Sequence, residues 1–559
     1  MTRARWAGLV VIAVALTGCG GIPTSGSVEA GRLIEPEALI DVGFNPGDPQ
    51  IGATPSEIMQ GFIAAATNPQ NNYEVARKYL DESIREDWDP DYSTQIRTGI
   101  AQPRSESEGE TEAAASYTFT GAAHVNADGQ YVDDDPATQV LDFTFVRDEN
   151  DEWRIASADD GIVLTRESFN SIFEPHPLYF FDPTTSYLVP DLRWFPTTSR
   201  LSTAIVRQLL KGQSTWLQQG VTNTYFPTGT KLDSTVTIDA GVATVALSGE
   251  ALDASAAQVQ LMRQQLRDTL GTVSSVVITV NGVVLEEQDG GTSPAVAGLT
   301  VENQPLVLQD STYGFLAANG GVSALTGQSA EVADLGATDA TLARSGTYSA
   351  VLTPSGVWRV FTSSTPPLQI DSRAGLLAPA TDNAGFVWTM PSSDVSAITA
   401  YDSTGKAYPI SAPQLAGIRG VSFTISRDGT RALILGQTDL GPRLYVAGII
   451  RADGVPTQLG ELRALPIEST SAPLDATWVD DNTVATLTVT AEDDRSTVTS
   501  YQIGGPRTAI GRIDGGVAIV GGNGLDGLRV LGSDGAVYNP RGTSWANTGY
   551  SVSFIATQQ

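Results

Sequence analysis

The apolar positions change their period along the chain, and each change marks a boundary. Trp6 to Leu16 is almost unbroken apolar sequence, whereas Gly20 to about Ala53 carries Gly, Pro and Ser with no persistent period. At Thr54-Pro55-Ser56-Glu57 a helix start is spelled out, with Thr at the N-cap, Pro at the first position and Glu at the third. Ile58, Phe62, Ile63 and Ala66 then share one helical face, Asn68-Pro69 stops the helix, and Val75, Ala76, Tyr79 and Leu80 predict a second short one. Between Ala113 and Leu164 the period falls to two. Tyr117 and Phe119, one parity of the run Val140 to Phe145, and Trp153 with Ile155 predict strands, and Asp148-Glu149-Asn150-Asp151 predicts a hairpin turn. Helices followed by a meander predict an α+β domain over 54–180.

A second α+β unit is expected over 187–300. Leu201, Ile205, Val206, Leu209 and Leu210 form a stripe ending at Gly212; Val236, Ile238, Val242 and Val245 flank an Asp239-Ala240-Gly241 turn; Val259, Met262, Leu266 and Leu270 form a stripe ending at Gly271. Val276–Val280 then meets Asn281-Gly282, a hairpin signal because both residues accept positive φ. Over 303–559 the helical period fades and short apolar strands recur between Gly, Asp, Ser and Pro turns, with echoes at Ser349–Leu352, Phe423–Ser426 and Ala476–Trp478. At about 40–45 residues per four-stranded blade, this length holds about six blades of a propeller, which protects its own sheet edges; no strict blade motif repeats, and stacked sandwiches are the alternative.

Composition narrows the chemistry. The chain has 559 residues, too long for one core, and a formal charge of −30, which argues against nucleic acid as a partner. One Cys and two His exclude a disulfide framework and the usual zinc or multi-histidine centres, and no metal or cofactor is expected. His124 and His176 are the candidate general bases, but no Gly-x-Ser-x-Gly or other nucleophile motif accompanies them. Asn126-Ala127-Asp128-Gly129 and Asp133-Asp134-Asp135 carry oxygen ligands suited to calcium, yet complete no binding loop and read as turns. Asp133 with Asp135 is likewise uninformative as a catalytic carboxylate pair in so acidic a chain. Gly521-Gly522-Asn523-Gly524 has a phosphate-loop look but is followed by Leu525-Asp526, with no Lys, and reads as a strand turn. No catalytic residue is assigned.

The one Cys carries the chemistry. Arg3 and Arg5 precede the apolar run, which at roughly eleven residues is shorter than the ~20 needed to span a bilayer and fits a secretory signal peptide over 1–18. Leu16-Thr17-Gly18-Cys19 resembles a bacterial lipobox. That resemblance implies cleavage between Gly18 and Cys19, a diacylglyceryl group on the Cys19 thiol with an N-acyl chain such as palmitate on its amine, and a lipidated tether over 19–53. Two acyl chains anchor durably where one is marginal.

Ile58–Ala66 with Ala76-Arg77-Lys78-Tyr79-Leu80 and Trp88, then Arg193-Trp194-Phe195-Pro196 leading to Leu209-Leu210-Lys211-Gly212, resemble the actinobacterial lipoprotein LpqB family. The resemblance spans nearly the whole chain after Cys19, and domain order supplies most of its weight. The expected fold class is multidomain: two small α+β domains, NTF2-like and GerMN-like, before an all-β propeller. The family implies a non-catalytic accessory lipoprotein on the outer face of the cell membrane. It also implies a partner, the extracellular domain of the sensor histidine kinase MtrB, whose response regulator MtrA controls cell-wall and division genes. The alternatives are a cell-wall glycan-binding protein or wall-active enzyme, and self-association through the GerMN-like module.

Overall fold

The computed structural model describes residues 47–286, 294–490 and 493–559; Gly18, Cys19, the signal peptide and most of the tether lie outside the described residues. The first helix, α1 (Pro55–Ala65), starts as its sequence dictates: the Thr54 hydroxyl accepts from the Glu57 amide while the Glu57 carboxylate accepts from the Thr54 amide. Its buried face is Ile58, Met59, Phe62 and Ala65, and Phe62 meets Trp88 and Phe143 edge-on at 5.1 and 6.1 Å. The second expected helix is a pair of single turns, Glu74–Arg77 and Glu82–Arg85.

Across α1 lies a five-stranded sheet of β1 (Ser93–Glu108), β2 (Glu112–Asn126), β3 (Tyr131–Arg147), β4 (Trp153–Ser157) and β5 (Ile162–Thr165), in the order β4-β3-β2-β1-β5. Phe143 and Phe145 point inward and Val140 is exposed, which settles the parity of β3. The whole of β1 escapes the apolar pattern because most of its length faces solvent. A register shift between Thr98 and Gln102 also breaks its alternation.

After α2 (Arg166–Ile172) the chain makes a long hairpin of β6 (Phe173–Phe181) and β7 (Leu188–Pro196), paired from Phe173–Pro196 to Phe181–Leu188. The break anticipated between 180 and 187 falls at its tip. Phe173 and Trp194 belong to the first domain's core, whereas Leu178, Phe180 and Phe195 belong to the second's. One ribbon therefore feeds two cores.

The second domain follows its pattern closely. The α3 helix (Leu201–Lys211) ends at Gly212 and α4 (Ala256–Leu270) at Gly271, and Val259, Met262, Leu266 and Leu270 are all buried. Its sheet runs β11-β10-β9-β8, built from β8 (Thr237–Asp239), β9 (Val242–Leu247), β10 (Ser275–Val280) and β11 (Val283–Val284). Strands β9 and β10 are parallel, so α4 is the crossover between them. Asn281 and Gly282 take φ of 50° and 79°, as a two-residue hairpin turn of this kind requires.

The remainder is a six-bladed propeller. Blades 2 to 6 are consecutive four-stranded antiparallel meanders, starting at the inner strands Asp339–Leu342, Ala380–Thr381, Arg419–Ile425, Ser471–Trp478 and Gly516–Gly522. Blade 1 is composite: Leu306–Gln309, Thr312–Leu316 and Val322–Ala324 receive Phe554–Gln558 as their inner strand. Each inner strand neighbours the next, and those of blades 6 and 1 touch, so the ring closes. Asp382, Asp402, Asp428 and Asp534 each accept amides of their own turns, which is where part of the acidic composition goes.

Candidate interaction site

The three domains meet at the β6–β7 ribbon. Arg193, 2% exposed, donates to the Asp191 carboxylate at 2.7 Å, to the Ser214 hydroxyl at 3.1 Å and to the Asp128 carbonyl at 2.7 Å. Asp191 also accepts the Ser214 amide and hydroxyl at 2.7 and 2.8 Å. The Asp128 side chain takes Gln208 and Lys211 at 3.2 and 3.1 Å, and these bonds, Gln208 foremost, hold its carboxyl below the usual range. One buried cluster thus joins the first domain's β2–β3 turn, the ribbon and the second domain.

Next along β7, the Trp194 indole lies 5.0 Å from Phe169 and 5.9 Å from Tyr131, and its N–H donates to the Gly504 carbonyl of blade 5 at 2.8 Å. Arg463 of blade 4 donates to the Tyr131 carbonyl at 3.2 Å. A second seam is apolar. Val189, Trp216, Leu217 and Val221 share one core with Leu433, Leu435, Leu444 and Val446 of blade 4 and Trp478 and Val484 of blade 5. Each such buried side chain contributes about 1.5–3 kcal/mol of transfer free energy. Gly448 makes the close approach possible: a Cβ there would lie 2.4 Å from Val221 Cγ2 and 2.9 Å from the Trp216 carbonyl.

Between the second domain and blade 1, the chain crosses the mouth of the propeller formed by the first hairpin of each blade, as a strap over Gly298–Asn303. Four blades hold it, almost wholly by its backbone. Asn523 of blade 6 accepts the Val301 amide and donates to the Val301 carbonyl, both at 2.8 Å, and donates to Asn303 Oδ1 at 2.6 Å. Arg427 of blade 4 donates to the Leu299 carbonyl at 3.2 Å and Arg344 of blade 2 to the Thr300 carbonyl at 3.3 Å. Gln558 of blade 1 accepts the Glu302 amide at 3.1 Å. Arg427 is 6% exposed, and its other bonds run to the Val479 and Gly522 carbonyls. Burial lowers its pKa.

Within the ring, Asp339 and Asp475 sit on the inner strands of blades 2 and 5, which face one another. Asp339 keeps partial solvent contact but is enclosed by protein; burial, with a smaller push from the Asp475 carboxylate, raises its carboxyl to about 7. Burial raises Asp475 to about 6, against the bonds it accepts from the Ile519 amide and the Ser422 hydroxyl.

The candidate residues of the sequence are dispersed. His124 pairs with Asp134 at 2.8 Å on the β2–β3 surface, whereas His176 lies on the ribbon against Phe195, its pKa lowered by burial and its nearest carboxylate, Glu174, 3.8 Å away. Asn126–Gly129 is the hairpin turn whose Asp128 joins the buried cluster, Asp133 is partly buried, and Asp135 is exposed. Gly521–Gly524 is the first turn of blade 6 and carries the strap-binding Asn523. Among the described residues no group of three or more His, Cys, Asp or Glu could hold a metal ion.

This three-domain layout has counterparts. Family models for the lipoprotein LpqB N-terminal domain, for a sporulation and spore germination domain (Germane), and for the lipoprotein LpqB beta-propeller domain match residues 48–170, 177–286 and 316–552 in succession. The chain belongs to the lipoprotein LpqB family. Lipoprotein LpqB of Cutibacterium acnes is 26% identical over 83% of this chain and 78% of its own length. Those of Thermobifida fusca and Streptomyces avermitilis are each 32% identical, over 46% and 50% of this chain and 43% and 48% of their own lengths. Among solved structures, TolB from Acinetobacter baumannii is similar over 40% of this chain and 57% of its own (14% identity, TM-score 0.31). The tandem GerMN domains of GerM from Bacillus subtilis are similar over 26% and 58% (19% identity, TM-score 0.17). The LpqB relatives are named as lipoproteins, and the names carry no enzymatic activity. No helix among the described residues is long and apolar enough to cross a membrane.

Proposed function

We propose that this LpqB-family chain is a lipid-anchored accessory protein of the outer membrane face that docks, through its folded domains, on the extracellular domain of the sensor histidine kinase MtrB and adjusts MtrA–MtrB signalling in cell-wall and division control. The observation that supports it is the junction: a buried ion pair, an apolar seam and a strap bind three domains together, which suits a scaffold presenting a fixed surface. In this reading the acyl chains are carried by Cys19, as the resemblance of Leu16–Cys19 to a lipobox implies. The 28 or so residues from there to Gly47 reach no further than ~100 Å from the bilayer, within range of a kinase ectodomain. Crosslinking in intact cells, with contacts mapped by mass spectrometry, tests the reading. Crosslinks from residues 47–559 to the kinase ectodomain are expected; recovery of abundant crosslinks within the chain and none to the kinase contradicts it.

A second reading, binding of wall glycan, draws on a groove of ≈ 300 Å³ on the second domain lined by Gln260, Gln264, Ser274 and Ser275 beside Arg263 and Arg267. Retention on purified wall polymer that is lost on Gln260→Ala with Gln264→Ala would favour it.

A further inference from the structure

The strap is held differently from an ordinary connection. Side chains of four blades converge on five consecutive residues, and apart from Asn303 Oδ1 every bond they make is to main-chain N–H or C=O. Such bonds read an extended backbone and are blind to most of its side chains. The paired contact of Asn523 with both polar groups of Val301 is what a neighbouring β-strand would offer, supplied here by one amide. Only Leu299 buries its side chain, at 7% exposure, while Thr300, Glu302 and Asn303 face solvent. Beside Val301–Leu306 the strap leaves a space of only ≈ 10 Å³, about one water in size, bordered by Phe315, Val520 and Ala556. Removal of the strap would leave Arg427, Arg344, Asn523 and Gln558 with freed hydrogen-bonding capacity on one concave face.

We propose that this mouth of the propeller is a recognition site for an extended polypeptide segment, that the strap occupies it in cis, and that a segment of a partner protein enters by displacing the strap. The inference goes beyond the proposed function, because it does not depend on which protein supplies the segment. Occupation in cis makes the site self-limiting: the apparent affinity for an incoming segment falls by the fraction of molecules whose strap is seated.

The probe is a fluorescein-labelled peptide copying Val296–Pro305, titrated by anisotropy into residues 20–559. Val301→Pro removes the strap amide that Asn523 accepts without touching the mouth. The Val301→Pro protein should bind the peptide at least about ten-fold more tightly than wild type, and adding Asn523→Ala should remove at least about ten-fold of that affinity, as expected for loss of one or two well-formed hydrogen bonds. A folded Val301→Pro protein that binds no better than wild type, or binding that survives Asn523→Ala, overturns the proposal. Should Val301→Pro fail to fold, hydrogen exchange on the single Asn523→Ala protein decides. Exchange at the Val301 amide should quicken about ten-fold while amides within blade 6 are unchanged; an unaltered rate at Val301 overturns it equally.

Discussion

Asp191→Ala strikes the buried cluster that joins the first domain, the ribbon and the second domain. The carboxylate lost there accepts Arg193 at 2.7 Å and the Ser214 amide and hydroxyl at 2.7 and 2.8 Å. Its removal leaves the Arg193 guanidinium, 2% exposed, facing the Asp128 carbonyl and the Ser214 hydroxyl with no opposite charge in contact. Breaking a buried pair from one side costs about 3–5 kcal/mol, because the surviving ion stays desolvated. That is a large share of a typical domain stability of about 5–15 kcal/mol. Arg193→Met strands the carboxylate instead and should cost a similar amount, whereas the double variant carries no buried charge and should cost much less than the two together. Denaturant unfolding followed by tryptophan fluorescence measures all three, with Trp194 and Trp216 beside the junction. The first unfolding transition should move, with a coupling energy of about 2 kcal/mol or more. Single variants costing under ~1 kcal/mol, or effects additive within ~0.5 kcal/mol, would refute the assignment of this pair as the buried link between domains.

Gly448→Ala should lower stability by about 1–3 kcal/mol through the 2.4 Å approach of its Cβ to Val221, and Val221→Ala on the same chain should recover part of the loss; thermal melts check both, and no recovery would place the clash elsewhere. Asp339 has a folded pKa near 7 against an ordinary 3.8, so the folded state holds the proton more tightly. Its contribution to stability therefore falls as pH rises from about 4 to about 7. Asp339→Asn should match wild type at pH 4 and exceed it by about 2–4 kcal/mol at pH 8 in denaturant titrations; a difference that does not grow with pH contradicts this. Cys19→Ala, expressed in its own host, should move the protein from the membrane to the soluble fraction, and retention in membranes would remove Cys19 as the anchor.

The elements that could be read from sequence are those whose local signals agree. Thr54–Glu57 carries a capping box and starts its helix there, and the stripes ending at Gly212 and Gly271 are helices with those glycines as C-caps. Strand β1 was illegible because its outer half has no core to face, and β6 and β7 because each serves two cores and so keeps no simple alternation. The propeller's length suited about six blades without fixing their number, and did not show that its last strand, Phe554–Gln558, completes blade 1. The junction was harder still. Asp191, Arg193 and Ser214 are separated by up to 23 residues and Asn523 lies 222 residues from Val301, so only the folded chain brings them together. The turn Gly521–Gly524 could be recognised as a turn; that its Asn grips another segment could not.

Purified residues 20–559 titrated against the purified kinase ectodomain test the central claim most directly. Saturable binding at micromolar concentrations or tighter is the predicted result. Two folded proteins that show no association at tens of micromolar would contradict the account.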